Sequence, residues 1–110
     1  MDDPVAGGAT PGSYVSVSEL RVGAEGRDGL VAAFRGRLGA VESWPGFVDL
    51  QVWQDRADAD RFVMVTWWRD EAAFRAYLAS DAFARSSERI PRGPDGPRRT
   101  GLQRFEVVAW

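Results

Sequence analysis

The chemistry open to this chain rests on few side-chain types: carboxylate, indole, phenol, guanidinium and hydroxyl, of which Glu19, Trp68, Tyr77, Arg37 and Ser87 are instances. The list is short because the sequence has no His, Cys, Lys or Asn, although it carries five Trp and six Phe. Those absences remove imidazole-ligated metals and haem, thiol nucleophiles, Schiff-base lysines and Ser-His-Asp relays. Carboxylate, guanidinium, phenol, hydroxyl and indole remain. A carboxylate desolvated by apolar neighbours has its pKa raised and can serve as general base toward a phenol or an enol. Glu19 is the candidate for that role; the alternative is an ion pair with Arg21 or another arginine, which would leave it structural. Tyr77 is either a proton donor to reduced oxygen or a buried ring with its hydroxyl at the rim. Arg37 would bind a carboxylate or phenolate, or else sit on a solvated helix face. Ser87 would hydrogen-bond a substrate carbonyl, or lie on a helix surface.

The elements that must hold these residues can be read from periodicity. Residues 14–22 (YVSVSELRV) alternate and predict a strand. Glu19 then shares a face with Val15, Val17 and Arg21. Asp28 is a candidate cap for a helix whose stripe of Leu30, Phe34, Leu38 and Val41 runs to about residue 43. Pro45-Gly46 breaks the chain. Residues 47–54 (FVDLQVWQ) and 61–69 (RFVMVTWWR) predict two strands joined by the acidic loop DRADAD. Asp70 should cap a helix holding Phe74, Tyr77 and Leu78, and Ser80 or Asp81 a shorter one with Phe83 and Ile90. A Pro/Gly/Arg loop over 91–101 precedes a last strand over 102–110. The order β-α-β-β-α-β, with the second helix in two pieces, is the split βαβ or ferredoxin-like α+β plan. Adjacent Trp67 and Trp68 must point to opposite sides of their strand. That strand is apolar on both parities, so both sheet faces need cover. One layer of helices covers one face, which predicts a homodimer packed sheet to sheet.

Bulk properties bound the rest. A length of 110 residues predicts one domain over 14–110, preceded by a Gly/Pro/Ala-rich leader over 1–13. A net charge of −2 offers no case for nucleic-acid or anionic-membrane partners. The three loop arginines, Arg92, Arg98 and Arg99, come without an aromatic platform and suit a lid or a plain surface loop better than a nucleic-acid contact. The absence of cysteine and of a long apolar run fits a cytoplasmic protein.

The segments AVESWPGF, RFVMVTWWRDEAAFRAYLASDAF and RFEVVAW resemble the antibiotic-biosynthesis monooxygenase superfamily of dimeric α/β barrels, especially its haem-degrading branch. The shared features are Pro-Gly-Phe before the second strand, a Trp six residues before a Phe as the third strand enters its helix, and a long loop before the last strand. In the haem-degrading branch a first-strand Asn, a third-strand Trp and a helix His act together. The resemblance places the Trp on Trp68, the Asn on Glu19 and the His on Ser87. It implies a pocket under the helices, with Glu19 at its wall and Phe34 as a lining aromatic. Val17, Met64 and Phe83 are further candidates to line that pocket. It also implies a cofactor-free oxygenase of a planar aromatic or polyketide-like molecule, with Glu19 as base. The alternatives are a non-oxidative cyclase or isomerase, and a non-catalytic binder of haem or another flat molecule.

Overall fold

The computed structural model describes residues 12–35, 41–87 and 96–109. Strand β1 (Tyr14–Arg21) leads through a short 3-10 turn (Ala24–Gly26) into helix α1 (Arg27–Arg35). Strands β2 (Phe47–Gln54) and β3 (Arg61–Trp68) form a hairpin, followed by helices α2 (Glu71–Leu78) and α3 (Asp81–Ser87) and strand β4 (Arg98–Glu106). The sheet order is β2-β3-β1-β4, with each neighbouring pair antiparallel. This is the ferredoxin-like plan expected from the sequence. The expected leader falls mostly on residues outside the described ones. So do Leu38 of the predicted α1 stripe, Ile90, and the first half of the 91–101 loop.

Local chemistry explains the helix starts. Asp70 caps α2, its Oδ1 accepting from the Ala73 amide at 2.8 Å. Ser80 caps α3, its Oγ accepting from the Phe83 amide at 3.2 Å. Asp28 is not a cap. Helix α1 begins one residue earlier, behind the 3-10 turn, and Asp28 lies in its first turn. There its charge still favours the helix N-terminus.

The last strand begins and ends four residues earlier than expected. Arg98 and Arg99 pair with Arg21 and Leu20. Thr100 bulges out at the register shift between Glu19 and Leu20. At the other end Tyr14, the first residue of β1, pairs with Glu106, so little ladder remains for the chain beyond. Two further bonds, Val107 N–H to Ser13 O at 3.0 Å and Gly12 N–H to Val107 O at 2.8 Å, finish it.

The helices cover one face of the sheet, in two places. Val41, Trp68, Ala73 and Tyr77 form one buried cluster, joined by Tyr14, Trp44, Phe47 and Phe74. Val22, Leu30 and Phe62 form the other, joined by Leu20, Phe34 and Val52. Leu30 is wholly buried, which contributes about 1.5–3 kcal/mol. Tyr14 and Leu20 sit in these clusters, so even-numbered β1 residues face the helices. Between the clusters the sheet presents Ser16 paired with Thr66, and Ser18 paired with Met64. Ser16 and Thr66 are buried, giving a polar floor between two apolar walls. On the opposite face, Val15 pairs with Trp67 and Phe105, and Val17 with Val65.

Gly46 closes the turn before β2. Its φ is +85°, and its carbonyl accepts from the Arg69 amide at 2.7 Å. A Cβ there would lie 2.4 Å from the Ala73 Cβ. Gly46→Ala combines a left-handed backbone with overpacking and is expected to cost about 2–4 kcal/mol, read as a lower urea midpoint. A midpoint equal to that of the parent would refute the close packing of this turn against α2.

Candidate functional site

The site is built from β3 and α2 upward. Trp68, the last residue of β3, points under the helices and is 1% exposed. The Asp70 cap starts α2 so that Ala73 and Tyr77, four residues apart, both face inward. The Tyr77 ring then lies 5.4 Å from Trp68, centroid to centroid. Phe74 lies 5.6 Å from Trp68 and 5.3 Å from Tyr14. Phe47 meets Trp68 edge-on at 5.6 Å. Trp44 and Phe83 approach Tyr77 at 5.7 Å and 5.5 Å. Pro45-Gly46 brings Trp44 and Phe47 to the cluster; the Ser80 cap brings Phe83.

This wall of rings hides three unsatisfied polar atoms. The hydroxyls of Tyr14 and Tyr77 and the indole Nε1 of Trp68 are sealed from solvent and have no hydrogen-bond partner among the described residues. Each such atom costs about 1–3 kcal/mol, and native interiors leave few of them. Tyr14 is the Cα partner of Trp68 across the β1–β3 ladder, so the three belong to one patch.

Glu19 is not part of it. Odd-numbered β1 residues face away from the helices, so Glu19 and Val17 lie across the sheet from Trp68. They line a shallow cleft of about 320 Å³ with Arg61, Val63, Gly101, Leu102 and Gln103. Glu19 Oε1 accepts from Thr100 Oγ1 at 2.6 Å, and Oε2 accepts from Arg61 Nε. Hydrogen bonds from Thr100 and from Arg61 hold its carboxyl below the ordinary 4.5, opposite to the rise expected of a base among aromatic rings. The ion-pair alternative is the one realised, with Arg61 as partner; Arg21 is taken by Asp58 at 2.6 Å.

The other candidates divide. Tyr77, Phe83 and Trp68 share the ring cluster. Met64 lies on the polar floor and Phe34 in the second cluster, both on the helix side. Arg37 and the side chain of Ser87 lie outside the described residues. Tyr14, Ser18 and Trp44 were not anticipated. The signal for Tyr14 and Ser18 is parity: they share a face with Leu20, opposite the more apolar Val-x-Val-x-Glu face. Among the described residues no group of three or more His, Cys, Asp or Glu is placed to hold a metal ion. No helix among them is long and apolar enough to cross a membrane.

The lowered carboxyl of Glu19 fixes the sign of a pH effect. A group whose folded pKa is below its unfolded value stabilises the fold above the unfolded value and loses that contribution as pH falls through the folded one. Glu19→Gln should therefore be less stable than the parent at pH 7, with the gap closing as pH falls from about 4.5 through the lowered folded value, beyond which both chains carry a neutral group. Urea midpoints measured from pH 7 to pH 3 check this. A gap that widens on acidification would contradict the pairing.

Comparison with known proteins agrees with the fold. The chain is 31% identical over 96 residues to a haem oxygenase (mycobilin-producing) of Mycobacterium tuberculosis, covering 86% of this chain and 88% of that protein. It is 38% identical over 52 residues to a haem oxygenase (staphylobilin-producing) of Staphylococcus saprophyticus, a match spanning 46% of this chain and only 50% of that protein. Its fold matches the crystal structure of SnoaB, a cofactor-independent oxygenase from Streptomyces nogalater. The TM-score is 0.73 and the identity 20%, over 90% of this chain and 96% of that one. Residues 13–89 match the family described as antibiotic biosynthesis monooxygenase, and the chain belongs to that family.

Proposed function

We propose that the chain is a cofactor-independent oxygenase that takes a planar aromatic or polyketide-like molecule against Trp68, beneath the helices. The observation that carries this reading is the ring cluster with three unsatisfied polar atoms, in a chain that has no imidazole. Rings of this kind suit a flat apolar ligand, and the orphaned N–H and O–H groups suit oxygens on its edge.

The haem-degrading relatives raise the question of haem. An axial iron ligand in such proteins is most often imidazole or thiolate. This sequence contains neither residue type. The ring neighbours of Tyr77 are Trp44, Trp68 and Phe83, which offer no cation to favour a tyrosinate ligand. The donor set does not fit haem iron, and no step here runs through it.

The chemistry then falls to the substrate. An electron-rich enolate or phenolate passes an electron to dioxygen; the two radicals recombine to a peroxide on the substrate carbon, which takes up a proton as C–OOH, and loss of the remaining hydrogen on that carbon with cleavage of the O–O bond releases the outer oxygen as water and leaves a carbonyl. The substrate carbon supplies the electrons, so the balance needs no other reductant. Trp68 Nε1 would bind the substrate oxygen, and Tyr77 would return a proton to the reduced dioxygen. Glu19, tied to Arg61 and Thr100, has no part in it.

Oxygen uptake with a hydroxyanthrone tests this reading. The purified chain should consume dioxygen and form the quinone. Trp68→Phe should lower turnover about tenfold or more, as loss of one donor does elsewhere, while Glu19→Gln keeps it. Absence of enzyme-dependent uptake across a panel of planar enols would reject the oxygenase.

The same reading pairs two copies through the open sheet face. Val17, Val63 and Trp67 are half-buried there beside the buried Val15 and Val65, and Phe105 is 51% exposed. Sedimentation should give twice the chain mass, and Phe105→Glu should shift it toward one. A parent chain that sediments as a monomer would reject the pairing.

A further inference from the structure

Among the described residues the open sheet face carries the ionised side chains of Glu19, Arg21, Asp49, Arg61 and Arg98. Their partners are unequally shared. Glu19 and Arg61 bind each other, Arg61 also reaches Asp55, and Arg21 holds Asp58. Asp49 and Arg98 are left without an ion pair among the described residues; Asp49 accepts from Gln51 Nε2 at 3.3 Å. The ladder fixes where these two stand. Asp49, on edge strand β2, starts a row that continues through Trp67 and Val15 to Phe105. Arg98, on edge strand β4, closes the row Arg61, Arg21, Arg98 at the far end of the sheet. The two unmatched charges, opposite in sign, therefore occupy opposite corners of one face. Arg98 is also the direct cross-strand neighbour of Arg21. Like charges so placed are unfavourable, and a carboxylate brought to Arg98 would offset this.

The other two corners are aromatic. Phe105 stands exposed at one, and Trp53, the partner of Val63 on β2, is 49% exposed toward the other. A face that meets a copy of itself must be self-complementary, because in a two-fold pairing residue i meets j and j meets i. A two-fold axis along the strands would set Asp49 against the Phe105 end of β4. An axis across the strands would set it against the acidic hairpin end of β2. An axis running from the Phe105 corner to the Trp53 corner sets each Asp49 over the Arg98 of the other copy, twice. It also leaves the aromatic corners near the axis, where each approaches its own counterpart. The strands of the two sheets then cross steeply, as in orthogonal sheet packing.

We propose that the open face binds a second copy of this chain in that one orientation, selected by two reciprocal Asp49–Arg98 ion pairs. The inference rests on the homodimer reading above, and goes beyond it by naming the axis and the charges that choose it; it is independent of the oxygenase reading. The apolar middle of the face supplies the area. The pairs at its corners set orientation and reject other pairings more than they add affinity.

Charge reversal separates this orientation from the others. In a pair of Asp49→Arg chains the new side chain faces Arg98 twice, and in a pair of Arg98→Asp chains it faces Asp49 twice. Each variant should raise the dimer Kd about tenfold or more, read by sedimentation over a concentration series, with a circular dichroism spectrum like the parent's. Mixing the two variants in equal amounts restores both opposite-charge contacts, so the mixture should form dimers where neither variant does alone. The chain carrying both reversals should do so by itself. Single variants that dimerise as the parent does, or a mixture that stays monomeric, would overturn the inference. The two readings fail separately: a monomeric parent removes the homodimer and the orientation together, whereas a dimeric parent with indifferent variants removes the orientation alone.

Discussion

Successive side chains of a strand point to opposite faces, and the β1–β3 pairing turns that rule into the functional layout of this protein. Tyr14 stands opposite Trp68, Ser16 opposite Thr66, Ser18 opposite Met64 and Leu20 opposite Phe62, all toward the helices. Val15, Val17, Glu19 and Arg21 stand opposite Trp67, Val65, Val63 and Arg61 on the other side. A shift of one residue would exchange the two sets. Everything proposed for the site follows from this register: which rings meet α2, which hydroxyls are stranded among them, and why the nearest carboxylate of β1 is out of reach.

The register is itself pinned at one end by charge. Arg61 bonds Glu19 across β1 and Asp55 at the start of the β2–β3 loop, the latter at 3.1 Å. Arg21 holds Asp58, and Arg27 at the start of α1 holds Asp60 at 2.6 Å. Asp55 also accepts from the Ala57 amide at 2.7 Å, and Asp58 from the Asp60 amide at 3.1 Å. The acidic run 55–60 is thus spent on shaping its own turn and on tying it to β1 and α1. Partly exposed pairs of this kind contribute little stability each. Their geometric effect is larger, because a slipped hairpin would leave several charges unmatched at once.

The opposite end of the helix-covered face is organised by apolar contact and carries an internal cost. The polar atoms of Tyr14, Trp68 and Tyr77, without partners among the described residues, oppose folding, and phenylalanine at positions 14 and 77 would pack in the same space without that cost. A layout in which stability is given up at one patch, while nearby polar groups such as the Asp70 and Ser80 caps are satisfied, is the expected pattern of a binding site. Membership of the antibiotic biosynthesis monooxygenase family is compatible with several chemistries. The residue inventory narrows them, because a chain without histidine cannot repeat the iron ligation that imidazole supplies.

Much of this was legible in the sequence. The β-α-β-β-α-β order, the β2 limits, the Asp70 cap and the opposed Trp67 and Trp68 come from periodicity and capping, which act over a few residues and need no knowledge of the fold. The inventory without imidazole, thiol or amine was likewise complete on reading. The extent of β4 was not, because Arg98 and Arg99 become strand only through their pairing with Arg21 and Leu20, nearly eighty residues away. Nor was the placement of Glu19: parity groups it with Val15 and Val17, but cannot say which face the helices will cover. That choice is made by packing, when Tyr14 and Leu20 enter the two clusters, and Glu19 is then claimed by Arg61 and Thr100, which lie 42 and 81 residues further along the chain. Local signals decide what each segment becomes; only the assembled sheet decides which side chains meet, because side chains far apart in the chain come into contact only once the strands have paired.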